Sequence, residues 1–176
     1  MKITYGLFVI FCIVLLTSCT IKHDYVWNEY EIATDKWTSQ DNFTEGKEIR
    51  LIEGEADNSN KLLGNVGAHK YYGNLQILTH GLVEHLALEL RNKNMKINDT
   101  AKKSMEITVD SSSFERGMWK IAATLNYTVK FGNGVQKSFT VRNSSPATVD
   151  RTYNGVIANA VIQIIKDPEV KQYLRD

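Results

Sequence analysis

The sequence predicts an α+β fold: an antiparallel sheet of about four strands, in the order β-α-β-β-β-α, covered on one face by two long helices as a two-layer sandwich. Three observations predict it. Leu75, Leu78, Leu82, Leu86 and Leu90 fall on one stripe at helical spacing. Trp119, Ile121, Ala123, Leu125, Tyr127, Val129 and Phe131 alternate with mostly polar neighbours, the strongest period-2 signal in the chain. Val149, Tyr153, Val156, Ile157, Ala160 and Ile164 line one face of a second helix.

The chain begins with Lys2 and an apolar run of 14 residues from Ile3 to Leu16. That run is too short for the ~20 residues a membrane-spanning helix needs, so residues 1–18 read as a secretory signal. Leu16-Thr17-Ser18-Cys19 then resembles the bacterial lipobox, an aliphatic residue and two small residues before a Cys. The small residues suit a peptidase cleft, and the Cys19 thiol is the nucleophile that takes a diacylglyceryl group. The resemblance implies cleavage before Cys19, acyl chains (palmitate among them) on it, and a membrane anchor through those chains. In a Gram-negative source, Thr20 after the Cys implies sorting to the outer membrane, facing the periplasm. Cys12 is discarded with the signal, so the expected product has no disulfide.

Residues 19–46 read as a lipid-anchored tether, part of which is compatible with an N-terminal strand. Tyr25, Trp27, Tyr30 and Trp37 stand in it among acids and small polar residues. They read as rings packed onto the domain in preference to an aromatic collar at the headgroups. Residues 47–176 read as one domain. Ile49, Leu51 and Ile52 mark a short strand, and the Asn-, Ser- and Gly-rich stretch 57–70 a loop. Asn74 caps a helix over 75–94. Beside its leucine stripe, Ile77, Gly81 and Leu88 make a second apolar strip, which either packs on a second side or meets a partner. Met105, Ile107 and Val109 start the meander, Glu115-Arg116-Gly117 turns it, and Gly132-Asn133-Gly134 closes the second hairpin. Ser145-Pro146 opens the second long helix, with Pro suited to its first position. Asp167 caps a short final helix behind Pro168.

With 21 basic and 20 acidic side chains the net charge is +1, which excludes the polyelectrolyte character of a nucleic-acid binder. The charge is unevenly spread. Residues 24–57 hold ten acids and three bases, and residues 113–151 two acids and six bases. Lys120, Lys130 and Arg142 fall on the exposed phase of the hairpin and read either as partners of that acidic stretch or as an anion-facing set.

Chemistry is sparse. His80 and His85 are five apart, which puts their rings about 140° apart on a helix and spoils a zinc pair. No Gly-x-Ser-x-Gly or phosphate-loop pattern is present, and the expected product has no free thiol. No metal, no cofactor and no catalytic residue are expected, so the chain reads as a non-enzyme.

The lipobox, the leucine-rich helix, the Lys-Ser-Met-Glu-Ile-Thr-Val strand, the alternating strand 119–131, Gly132-Asn133-Gly134 and the terminal Val-Ile-Gln-Ile-Ile-Lys-Asp-Pro run come in a familiar order. Together they resemble the YajG-type family of small bacterial outer-membrane lipoproteins over roughly residues 47–174. The pattern is also similar to the auxiliary lipoproteins of envelope lipid transporters and to the lipoprotein that plugs the lipopolysaccharide translocon. The resemblance implies a non-enzymatic accessory that binds an envelope protein. The alternative expectation is a lipid- or glycan-binding module with an apolar groove.

Overall fold

The computed structural model describes residues 20–146 and 148–176. The signal segment and the lipobox through Cys19 lie outside the described residues. The chain runs β1 (Ile21–Asp24), β2 (Glu48–Glu53), β3 (Lys61–Val66), β4 (His69–Gly73), α1 (Leu75–Asn92), β5 (Lys96–Ile97), β6 (Ser104–Arg116), β7 (Ile121–Phe131), β8 (Gln136–Ser145), α2 (Val149–Lys166) and α3 (Pro168–Arg175).

The strands build two mixed sheets, which corrects the expected four-stranded antiparallel sheet under two long helices. The larger has five strands in the order β5-β2-β6-β7-β8, and the smaller three in the order β1-β4-β3. The β6-β7-β8 part is an antiparallel meander. To it β2 adds in parallel, Arg50 opposite Ser104 and Glu53 opposite Ile107, and β5 adds in parallel to β2. Alternation along a strand states which face is buried but not which strand lies beside it, so the parallel neighbours left no mark. The smaller sheet came from the stretch expected as a loop. β3 and β4 pair antiparallel within 57–70 and just beyond it, and β1 pairs in parallel with β4, Ile21 opposite His69.

α1 forms where the leucine stripe predicts it. The Asn74 side chain accepts from the Ile77 amide at 2.8 Å, and Leu78, Leu82, Leu86 and Leu90 are fully buried. It ends at Asn94, whose φ of 68° is left-handed, with the Met95 amide donating back to Leu90. α2 starts later than expected: Thr148, not Ser145, is its cap, and the Thr148 side chain accepts from Arg151. Tyr153, Val156, Ile157, Ala160 and Ile164 are all fully buried. α1 packs on β2 and β6, α2 on β7 and β8, and the helices pack on each other. The outer side of the meander is polar. There Asn126 bridges Ser111 and Thr140, and Thr128 bridges Asp110 and Ser138.

β6 is longer than its sequence pattern suggests. Its register shifts between Val109 and Ser111, a bulge at Asp110. The buried phase moves from Met105, Ile107 and Val109 to the half-buried Ser112 and Phe114, so simple alternation stops at the bulge.

Residues 20–46 are laid over the domain, not held off it as a tether. After β1, Tyr25 is buried and its hydroxyl donates to Asn154 Oδ1 on α2 at 2.8 Å. Trp27 lies across Gly81 of α1, where a Cβ would come within 2.6 Å of the indole ring. Any side chain there would displace the indole, so the glycine is what lets strap and helix approach. Ile32 and Phe43 are buried, and Lys93 Nζ sits 3.6 Å from the Trp37 ring centroid. Asp41, 2% exposed, accepts from Lys171 of α3 at 2.6 Å. The four rings thus split: Tyr25, Trp27 and Trp37 pack onto the domain, whereas Tyr30 is 45% exposed.

Candidate functional site

Of the strip Ile77, Gly81 and Leu88, Gly81 is buried beneath Trp27 of the strap, Ile77 packs against the core, and Leu88 is half-buried.

Beneath that strap lies an unusual pair. His85 is fully buried, and neither of its ring nitrogens has a hydrogen-bond partner; Trp27 Nε1, with its ring centroid 6.3 Å away, has none either. Burial pushes the His85 pKa down, with Glu29 opposing. An unfolded chain then takes up the proton first as the pH falls past about 6.5, so acid favours unfolding. The expected result is a urea midpoint that declines as the pH falls below that value, and a flatter profile for His85→Leu. An unchanged slope in the variant assigns the decline to other groups.

The basic residues are divided by the fold. On the polar outer face Lys130 pairs with Glu106 of the neighbouring β6 at 3.8 Å, and Arg142 of β8 reaches across β7 to Glu115 of β6 at 2.6 Å. The two are therefore neutralised locally and not by the acidic stretch 24–57. Lys120 stands apart from them, in the β6–β7 turn, where its carbonyl accepts from the Gly117 amide at 2.8 Å. The turn holds the main departure from the sequence reading. Trp119 was expected to open the buried phase of β7, but it precedes the strand and is 83% exposed, beside Met118 at 87%. The odd-numbered phase extends through Trp119 in sequence, yet the hairpin closes between Arg116 and Ile121.

Two clefts flank α2. One, of about 430 Å³, lies between Tyr30–Lys36 of the strap and the α2 face carrying Arg151, Gly155 and Asn159, with Asn143 of β8 at its rim. The other, of about 500 Å³, is bounded by Val66, His69 and Tyr71 of the small sheet and by Pro146, Thr148 and Arg151. At its mouth His23 Nε2 and His69 Nδ1 are 2.8 Å apart, and the His23 ring stacks on Tyr71. Burial raises the pKa of the neighbouring Asp150, which His23 opposes. Between the two long helices and the meander, the facing side chains of α1, α2, β6 and β7 are buried against each other.

Glu53, His80 and Glu84 bring three ligand atoms within 4.8 Å of one another. His80 and Glu84 are one helical turn apart on α1, and Glu53 ends β2. A hydrogen bond of 2.7 Å between His80 Nδ1 and Glu53 Oε1 joins two of them. All three are exposed, a setting in which a divalent cation competes with water. His85 does not join them: its ring is buried in the core.

Among the described residues, no helix is long and apolar enough to cross a membrane. No family model and no curated protein matches the chain. Among solved structures, it is similar to protein XCC0632 from Xanthomonas campestris, of the family DUF330. That likeness has a TM-score of 0.51 and 12% identity, covering 81% of this chain and 92% of the other. A second similar structure, of an uncharacterized protein, has a TM-score of 0.41 and 12% identity, covering 87% and 95%. The likeness to the DUF330 protein is one of fold. The resemblance to the YajG-type family rests on sequence pattern alone.

Proposed function

We propose that this chain is a lipid-anchored lipoprotein of the bacterial envelope that works by binding, as an accessory to an envelope protein, and not by catalysis. The observation that carries it is Leu16-Thr17-Ser18-Cys19 standing two residues ahead of the first strand at Ile21. With Cys19 acylated, two residues span at most about 7 Å, so the domain would rest on the bilayer instead of swinging from it. Several acyl chains hold where one chain releases. The YajG-type pattern supports the same reading, and Thr20 supports the outer membrane as the address. The experiment is fractionation with palmitate labelling. Wild-type chain is expected in the membrane fraction with label, and Cys19→Ser in the soluble fraction without it. Equal membrane retention of the unlabelled variant would refute the anchor.

A second reading is a module for a lipid or glycan. The cleft of about 500 Å³ beside His69, Tyr71 and Arg151 favours it, since it combines apolar walls with a cation at its rim. Native mass spectrometry of the purified chain separates the two. A retained envelope lipid or glycan that Arg151→Ala loses supports the module; a protein recovered in its place supports the accessory.

A further inference from the structure

Met118 and Trp119 are the two most exposed large apolar side chains among the described residues, at 87% and 83%. They sit together on the β6–β7 turn. Arg116 and Lys120 flank them, and both are exposed and form no ion pair with a described residue. An indole and a thioether in water gain nothing from the fold, which buries neither. Trp and basic side chains together suit the headgroup layer of an anionic bilayer, where the ring finds apolar contact and the cations find phosphate.

The topology puts this turn at one end of the molecule together with the start of the chain. Ile121 is opposite Ser145, so the end of β8 lies beside the turn. Pro146 shares the 500 Å³ cleft with Val66 and His69. His69 is in turn the partner of Ile21, whose amide donates to the Ala68 carbonyl. β3 ascends in the same sense as β6, since Lys61–Leu63 line a pocket with Asp110–Ser112 while Gly64, further on, packs on the Phe114 ring. Ile21, itself 45% exposed, therefore leaves the domain at the end that carries Met118 and Trp119. The other exposed apolar residues of the strand ends lie away from it. Leu62 is at the opposite end of β3, and Val135 in the turn at the far end of β7.

We propose that the β6–β7 turn is a second membrane contact, with Met118 and Trp119 entering the headgroup layer beside the point where the chain departs for its anchor, and Arg116 and Lys120 meeting lipid phosphates. This rests on the lipoprotein reading. It adds an orientation: the 500 Å³ cleft lies at the lipid-facing end, and α3, whose Tyr173 bonds Gly132 and Ser104, lies at the opposite end.

The test uses the full processed chain, purified from membranes and reconstituted into vesicles of phosphatidylethanolamine and phosphatidylglycerol, with and without bromine on the acyl chains. Bromine quenches tryptophans that reach the lipid. Trp27 and Trp37 are packed on the domain, so the expected result is a drop in emission in brominated vesicles that Trp119→Phe abolishes. The variant changes an exposed turn residue, and its far-UV circular dichroism is expected to match wild type. An acylated chain whose emission is the same in both kinds of vesicle overturns the membrane contact and leaves the anchor standing. A drop that persists undiminished in Trp119→Phe overturns it too. An intact mass without acyl groups refutes the anchor, and the contact with it.

Discussion

Lys171→Met is expected to cost about 3–5 kcal/mol, because it leaves the Asp41 carboxylate buried without its cation. Asp41 is 2% exposed, and Lys171 Nζ lies 2.6 Å from Oδ1. Its other oxygen accepts from the Thr38 amide and hydroxyl at 2.8 and 3.0 Å, which closes the turn before Phe43. Asp41→Asn is expected to cost less, about 1–2 kcal/mol, since the Lys171 side chain is 19% exposed and can turn its charge to water. Burial alone would raise the Asp41 pKa, but Lys171 and Thr38 together hold it down at about 2. That stability is complete above the unfolded carboxylate value of about 3.9 and is lost as the pH falls toward 2. In Lys171→Met burial is left with Thr38 alone against it, so the carboxyl pKa rises and the variant's deficit shrinks as acid protonates the group. Urea titrations at pH 7 and at about pH 3 read both effects. Equal losses for the two variants would mean that burial of the carboxylate is not what the lysine compensates.

Tyr153→Ala is expected to cost about 3–5 kcal/mol, the usual range for removing a large ring from a packed interior. Tyr153 is fully buried, and its hydroxyl donates to the Leu63 carbonyl at 3.0 Å. Leu63 is the residue at which the β3–β4 register shifts. Its ring centroid is 5.6 Å from that of Tyr25, which in turn bonds Asn154. These two tyrosines join the three-stranded sheet to α2. Tyr153→Phe is expected to cost about 1–2 kcal/mol, the ring retained and one buried carbonyl left unpaired. Hydrogen exchange is expected to rise first in β1, β3 and β4. Uniform acceleration across β6–β8 as well would show that the small sheet does not open separately.

Much of the core was legible from residue spacing. Five leucines at helical spacing and the alternating run ending at Phe131 point to α1 and β7, because burial on one face imposes a period. The small sheet was hidden. β3 carries Leu62, Leu63 and Val66, but Gly64 and Asn65 interrupt them and β4 opens on His69 and Lys70, so the stretch has no alternation and its partners are a parallel strand and a buried tyrosine. The bulge at Asp110 broke the period that would have extended β6. Trp119 shows the opposite failure: it keeps the phase of β7 yet belongs to the turn, since phase carries no information about where a hairpin closes. The strap was half legible. Its aromatic residues signalled packing, but Gly81 as the place where Trp27 lands needed the fold.

The strap also ties the beginning of the chain to its end. Tyr25 meets Asn154 across 129 positions, Lys47 bonds the Asp176 carbonyl across 129, and Asp41 meets Lys171 across 130. Contacts so distant in sequence carry a large loop-closure cost and slow folding. Gln40 and Asp41 of the strap therefore lack their partners until α3 has been made. Deleting α3 would release the strap from the opposite terminus, so a frayed carboxyl end is felt where the chain begins.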